Sequence, residues 1–328
     1  MGHTAAAGLS GRACRGLRSV GNLVASGRPT YYVVADLWPD PALPPLGSYF
    51  YLTIINSGSI TPSPAMPTMI PFSSPDAYEE ISPVIAHRGA SGHAPENTRA
   101  AIELAARQGA RWAEVDVTIS ADGIAVIHHD ADLKRCSDGD GLVIQKRLAE
   151  LKQLDVGSWF AEQYRGEQIL TLSELLVLAN HLELGLNLEI KPTIGREPET
   201  VWAIHKALQQ VHFEQPLLLS SFSIHALQSA RRHVPHITRA LNVEAIPADW
   251  QHRLEEADCA GLHFAKEFFD AAQVRAIREA GYHMLVFTVN DADTAQRLLQ
   301  AGVDGVFTDL PQALEQALGN ARGGSVSH

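Results

Sequence analysis

"VIAHRGASGHAPENTRAAIE", Val84 to Glu103, begins as a short apolar run, sets His87 and Arg88 where that run ends, and continues as a helical pattern that Asn97 or Thr98 can cap. A strand that crosses a polar junction into a helix is one half-turn of a βαβ repeat. The alternation persists to the end of the chain. Apolar runs recur at "WAEVDVTI" from Trp112, "GLNLEIK" from Gly185, "PLLLSSF" from Pro216, "TRALNV" from Thr238, "GLHFA" from Gly261, "MLVFTV" from Met284 and "VDGVFT" from Val303. Helical patterns separate them, among them "TLSELLVLAN", "SIHALQSARRH" and "DADTAQRLLQAG", with "PQALEQALG" last. Gly109, Gly281 and Gly302 stand where three of these helices stop. Eight nearly continuous apolar strands alternating with eight helices predict an α/β fold, a parallel (β/α)8 TIM barrel. Periodicity alone leaves a doubly wound open sheet as the runner-up.

One run exceeds the count. "IAVIHHD", Ile124 to Asp130, follows "WAEVDVTIS" after only "ADG", too soon for a parallel crossover, so it is expected as an extra β-hairpin arm after strand 2. Asp122-Gly123 suits a two-residue type I′ turn. Centred there, the turn pairs Asp116 with His129 and puts them on one face with Glu114, while His128 points to the other.

The ends of the early strands now collect ionisable groups. His87 and Arg88 close the first, Glu114 and Asp116 lie along the second, His129 returns beside them, and "NLEIKP" brings Glu189 and Lys191 at i, i+2 on the third. An E-x-D on a strand is usually a solvated edge and an E-x-K a salt bridge. In a sheet buried on both faces, charges inside apolar runs are costly unless paired or metal-bound. Barrel enzymes gather such groups at the C-terminal ends of their strands. Three carboxylates without a Cys or His-rich cluster select one hard divalent cation, Mg²⁺, Ca²⁺ or Mn²⁺, over zinc. Arg88 and Lys191 suit a phosphate, and two histidines can divide the proton work at nucleophile and leaving alcohol. Metal, cations and an acid–base pair describe phosphodiester cleavage.

Composition sets bounds on this reading. The 328 residues carry 26 basic and 37 acidic side chains, a net charge of -11, the wrong sign for a nucleic-acid binder. Cys14, Cys136 and Cys259 are widely spaced and odd in number, which argues against a disulfide framework and fits a reducing, cytoplasmic setting. No run is long enough for a membrane span; "YFYLTII", Tyr49 to Ile55, is too short. Residues 1–80 differ from the rest, rich in Gly, Ala, Ser and Pro and without sustained period. Arg12, Arg15, Arg18 and Arg28 precede their first acid, Asp36. A targeting segment, a disordered extension, or a natural start at Met66 or Met69 all suit them. The barrel domain is expected over 81–320, with a flexible tail over 321–328.

"AHRGASGHAPENT", "EVDVTISADGIAVIHHDADLKR", "NLEIKP", "LLLSSFS", "VFTVND" and "GVDGVFTD" resemble, in that order, the motif series of glycerophosphodiester phosphodiesterases. The likeness runs from Ser82 to the last helix and is nearest the cytosolic bacterial type of the glycerol-3-phosphate uptake operon, including its "DVGSWF" segment, Asp155 to Phe160. It implies a TIM barrel that hydrolyses glycerophosphodiesters to sn-glycerol 3-phosphate and an alcohol with a divalent cation. By motif, His87 and His129 correspond to the catalytic pair, Arg88, Lys191 and Trp159 to phosphate or substrate ligands, and Glu114, Asp116 and Glu189 to metal ligands. Cys136-Ser137 and the missing proline in "QILTLSEL" depart from the usual pattern without touching these positions. A phospholipase D-like activity on lysophospholipids, which calls for an apolar lip, and a non-catalytic barrel that only binds a glycerophosphodiester are the alternatives. The sequence sets no oligomeric state.

Overall fold

The computed structural model describes residues 17–25, 28–35, 53–55 and 77–323. The chain divides into two compact units, Met1–Pro71 and Phe72–His328. In the first, β1 (Leu17–Ala25) and β2 (Arg28–Ala35) pair antiparallel, and β3 (Thr53–Ile55) adds to β2. A stretch in which the sequence shows no sustained period thus carries three strands among its described residues, and "YFYLTII" supplies the third. β2 holds the run "TYYVV", whose aromatic and β-branched residues favour strands even without alternation. Cys14, Met66, Met69 and residues 324–328 lie outside the described residues.

The second unit is a closed ring of eight parallel strands: β4 (Val84–His87), β5 (Trp112–Ile119), β7 (Gly185–Ile190), β8 (Leu217–Ser221), β9 (Thr238–Val243), β10 (Gly261–Ala265), β11 (His283–Phe287) and β12 (Gly305–Thr308). β4 pairs with both β12 and β5, and that closure excludes the open sheet. Helices α1 (Arg99–Arg107), α3 (Leu172–Leu182), α4 (Glu197–Gln210), α5 (Ile224–His233), α6 (Trp250–Ala257), α7 (Ala271–Glu279), α8 (Ala292–Ala301) and α9 (Pro311–Gly323) follow the strands, with a single-turn α2 (Leu148–Leu151) between β5 and α3. Their starts are chemical. Thr98, Thr171, Ser223, Asp270 and Asp291 each accept a backbone N–H from the first turn of the helix they cap. α9 runs to Gly323, so part of the expected tail is helical.

Outward side chains of the strands, such as Val115, Val117, Leu186 and Leu188, pack under the helices in one buried cluster. The barrel's lower interior is apolar: Tyr78, Ile85, Trp112, Leu218, Leu285 and Phe307 plug it, with Trp112 only 2% exposed and its indole N–H donated to the Glu80 carbonyl at 2.9 Å. Truncating such a residue costs about 3–5 kcal/mol. Tyr78 fits because Gly261 faces it; a Cβ there would lie 2.2 Å from the Tyr78 hydroxyl oxygen. The plug leaves only the upper half of the barrel for polar chemistry.

The hairpin arm is present as β6 (Ala125–Ile127), but its register differs from the expected one. The pairs are Val117 with Ile127, Thr118 with Val126 and Ile119 with Ala125, which sets Asp116 opposite His128 rather than His129. Asp122 and Gly123 are the last two residues of a three-residue loop, not both residues of a two-residue one. The Ser120 N–H bonds the Ile124 carbonyl at 3.0 Å, and Gly123 adopts φ +73°, as a type I turn with a left-handed third residue requires. The chain leaves the strand after Ile127, so alternation no longer governs the next residues. His128 turns its buried ring to the Asp132 carbonyl, 3.0 Å from Nε2, and His129 swings toward the barrel mouth.

Candidate active site

The functional side chains come from strand ends, from the turns just after them and, for Glu114 and Asp116, from within β5. β4 ends at His87, and the next two residues adopt left-handed backbone, Arg88 at φ 55° and Gly89 at φ 82°. Gly89 is needed there, since a Cβ would come within 2.6 Å of the Ala101 carbonyl carbon in α1. The turn points the Arg88 N–H at Glu114 Oε2, 3.1 Å away, and throws the guanidinium between Glu96, at 2.7 Å, and Asp116, at 3.2 Å from Nε. Burial opposes the charge of Arg88, but Asp116, Glu96 and Glu114 outweigh it and raise its pKa. It stays a cation throughout.

The carboxylates expected on neighbouring strands meet. Glu114, Asp116 and Glu189 each place an oxygen within 4.8 Å of the other two. Glu114 and Asp116 are 3% and 1% exposed, and Glu114 Oε1 is buried without a hydrogen-bond partner. Burial, then the charges of Asp116 and Glu189, hold the Glu114 carboxyl well above its usual range. Burial and then Asp116 push Glu189 up to about 7, against the pull of Lys191 and Arg88. Hard oxygen donors crowded to this degree, one of them unpartnered, fit a divalent cation. Asn97 steadies the cluster: its Nδ2 donates to Asp116 Oδ2 at 2.9 Å and its Oδ1 accepts the Asp116 N–H at 3.2 Å.

The two histidines are held alike. His87 Nδ1 lies 2.7 Å from Asp309 Oδ1, and His129 Nδ1 lies 2.6 Å from Asp130 Oδ1. A carboxylate at Nδ1 keeps the proton there and leaves Nε2 for chemistry. His87 Nε2 is 3.9 Å from Glu114 Oε2, and His129 Nε2 is 3.1 Å from Lys191 Nζ. Burial, with Arg88 and Lys191, lowers the pKa of His129 against the pull of Asp116. Lys191 also lies 3.3 Å from Glu189 and 3.9 Å from Asp116. Arg135 ties the outer groups together, bonding Asp130 at 2.6 Å and Glu96 at 2.7 Å. Burial opposes the charge of Glu96, but its bond to Arg135 and the charge of Arg88 outweigh burial and bring its pKa down to about 2.

His87, Arg88, Glu114, His129, Glu189 and Lys191 line one cavity of about 270 Å³ at the C-terminal ends of the strands, and Asp116 lies directly behind it. Trp159 does not join them. It is 39% exposed, and its indole N–H is spent on the Val156 carbonyl at 2.8 Å. Sequence reading missed Asp309, Asp130 and Asn97 as partners of the site, and Phe222, Asn242, Glu244 and His263 as cavity lining. Asp309 was findable, because it directly follows the end of β12, the strand beside β4 that ends at His87. Asn187 and His263 gave no local signal, Asn187 because Glu189 dominates the same run and His263 as a lone polar residue in an apolar one.

The glycerophosphoryl diester phosphodiesterase family matches residues 87–313. A glycerophosphodiester phosphodiesterase of Caldanaerobacter subterraneus subsp. tengcongensis is 33% identical over 231 residues, 70% of this chain and 95% of the relative. One from Bacillus subtilis is 31% identical over 243 residues, 69% of this chain and 83% of the relative. Among solved structures, an Oleispira antarctica phosphodiesterase in complex with the product sn-glycerol-3-phosphate is 51% identical, with a TM-score of 0.73 over 74% of this chain and 99% of that one. A barrel mouth lined by these groups and a match across nearly all of the barrel lead to one conclusion: the chain is an enzyme of the glycerophosphoryl diester phosphodiesterase family.

Proposed function

We propose that the chain hydrolyses glycerophosphodiesters to sn-glycerol 3-phosphate and an alcohol with a divalent cation held by Glu114, Asp116 and Glu189. The observation that carries this reading is the convergence on one cavity of two histidines, each with a carboxylate at Nδ1, two cations and three crowded carboxylates. The bound cation would supply positive charge to a phosphoryl oxygen. Arg88 and Lys191 would hold the remaining phosphate oxygens. His87, with Nε2 free, takes the proton of the nucleophile, and His129 protonates the leaving alcohol. The ligand-free His129 is poised neutral. An arriving phosphate anion offsets Arg88 and Lys191, two of the groups that hold its pKa down, so substrate binding itself favours the proton that His129 must donate. Cys136 and Cys259, both buried as free thiols, suit a cytoplasmic enzyme.

The test is product analysis on glycerophosphocholine with and without EDTA. Release of choline and sn-glycerol 3-phosphate that stops in EDTA supports the reading; phosphocholine as product, or EDTA-resistant turnover, overturns it. Phe222, 46% exposed at the mouth, is the observation in favour of a lysophospholipid substrate. The same assay on lysophosphatidylcholine decides between them.

A further inference from the structure

The floor of the cavity carries hydrogen-bonding capacity that metal, phosphate and proton transfer do not use. Asn187 on β7, Ser220 on β8, Asn242 on β9 and His263 on β10 face inward from four consecutive strands of the ring, none more than 4% exposed. Asn187 Nδ2 donates to Ser220 Oγ at 3.0 Å, and Asn242 Nδ2 approaches the same oxygen at 3.4 Å. Sharing one hydroxyl turns both amide carbonyl oxygens away from it. His263 Nε2 is tied to the Tyr78 hydroxyl at 2.9 Å, which fixes the ring from below. What remains is Asn187 Oδ1, Asn242 Oδ1 and His263 Nδ1, three buried atoms without a hydrogen-bond partner, on three residues that line the cavity.

Buried polar atoms in folded proteins are almost always paired, so the partner of these three comes from the cavity. Its chemistry can be read from theirs. Two amides, a hydroxyl and an imidazole that burial keeps neutral, its pKa pushed down to about 3, offer no charge to a phosphate. Two carbonyl oxygens would repel an anion. They accept from hydroxyl groups, and the imidazole nitrogen can complement a hydroxyl in either sense, according to its tautomer. Arg88 and Lys191, the anion-binding groups, line the same cavity, so a ligand can engage both parts at once.

We propose that Asn187, Asn242 and His263 form the socket for the glycerol hydroxyls of the substrate, a site for a neutral vicinal diol beside the phosphate site. This rests on the diester reading above and assigns specificity for the glycerol half to the floor. A site built to hydrogen-bond hydroxyls rejects an analogue without them, because its own polar atoms are then left unpaired. Water can satisfy the floor in the free enzyme, and the diol replaces it bond for bond.

The experiment is calorimetric binding of sn-glycerol 3-phosphate and of propyl phosphate, its twin without hydroxyls, to the full chain in Mg²⁺. Wild type should prefer the glycerol ester by about tenfold or more, the scale of one or two hydroxyl bonds. In Asn242→Leu and Asn187→Leu the preference should collapse toward unity, chiefly through weaker binding of the glycerol ester. Asn242→Ser guards against a leucine variant that fails to fold; it keeps a small polar group and should show an intermediate preference. Equal affinities in wild type, with glycerophosphocholine still hydrolysed, would overturn the socket alone and mean that water is its only occupant. A preference that survives in the folded variants overturns it as well. Binding of neither phosphate would overturn the phosphate site along with it.

Discussion

Replacing Glu114 with Gln is expected to stabilise the chain in EDTA while removing its response to metal and its turnover. Carboxylate oxygens of Glu114, Asp116 and Glu189 lie within 4.8 Å of one another. At an effective dielectric of about 20, two unit charges at that separation repel by about 3.5 kcal/mol. Protonation caps the penalty. For a carboxyl with an ordinary pKa of 4.5 and a folded value well above it, the loss at neutral pH is at most about 3.4 kcal/mol, at about 1.36 kcal/mol per pH unit. The Arg88 N–H now bonds Glu114 Oε2 at 3.1 Å, and the Gln carbonyl can accept it as well. The expected net gain is about 1–3 kcal/mol, or about 2–4 °C in melting temperature per kcal/mol for a domain of this size. The sign with pH follows from the raised carboxyls. Between their ordinary range and the folded value, about 7 for Glu189, the folded chain binds more protons than the unfolded one, so metal-free stability falls as pH rises through that window. The fall should be shallower in Glu114→Gln, which has lost one of the two raised groups. Thermal or urea denaturation in EDTA from about pH 5 to about pH 7 reads both effects. Excess Mg²⁺ should stabilise wild type, by about 2.7 kcal/mol at a hundredfold over the dissociation constant, and the variant far less. A variant that melts below wild type in EDTA, or gains as much from Mg²⁺, refutes the reasoning.

His129→Ala should cleave a nitrophenyl diester far better, relative to wild type, than a choline diester, because a good leaving group needs no proton, whereas His87→Ala should lose both. His128→Ala, which forfeits only the bond to the Asp132 carbonyl, should lose about 1–3 kcal/mol of stability and keep turnover, and an inactive folded His128→Ala would move the catalytic assignment by one residue. Asp309→Asn replaces a charged partner of His87 Nδ1 with a neutral one and should lower kcat/KM by about ten- to a hundredfold, the scale of a charge-assisted hydrogen bond; an unchanged value would mean that Asp309 does not hold the ring. A chain beginning at Met69 should fold and turn over as the full chain does, since Tyr78, the lowest plug residue, and every barrel strand are retained; loss of activity or aggregation would give the first unit a role in the barrel.

The strands and helices of the barrel were legible because each carries its own signal: an apolar run too short for a helix, a polar cap, a glycine stop. The carboxylates were legible for the opposite reason. Glu114, Asp116 and Glu189 break the apolar runs that contain them, and an interrupted buried strand calls for an explanation. The hairpin shows the limit. "ADG" announces a turn, but a two-residue and a three-residue loop share its composition, and one residue of slip exchanges His128 for His129 opposite Asp116. His129 reaches the cavity lining only because β6 stops at Ile127. The cavity floor was not legible at all. Asn187 shares "GLNLEI" with the more conspicuous Glu189, His263 is a single polar letter in "GLHFA", and only the ring closure brings them to the same space as Asn242. Trp159 is the converse case, a side chain assigned to the substrate by motif alone that stands outside the lining of this cavity.

The site stands beside a short stretch of the barrel's ladder. β4 pairs with β5 only through Ala113 and Glu114, while β5 runs on for five more residues. β6 covers that edge from Val117 onward, and between the two the backbone of Asp116 has no strand on that side. The chain closes the gap with parts of the site itself. The His128 N–H reaches the Asp116 carbonyl at 3.0 Å, Asn97 Oδ1 accepts the Asp116 N–H at 3.2 Å, and the Asn97 N–H is given to the Arg88 carbonyl at 3.0 Å. Arg88 and Asn97 both hold left-handed backbone to do so, at φ 55° and 60°, a strain on the order of 1–3 kcal/mol each. Such strain persists where the surroundings over-determine it. Here a ladder pair is exchanged for an opening, and through it the guanidinium of Arg88 and the amide of Asn97 reach the buried carboxylate of Asp116, while the imidazole of His129 enters the same cavity. A complete β4–β5 ladder would relieve the strain and shut those side chains out.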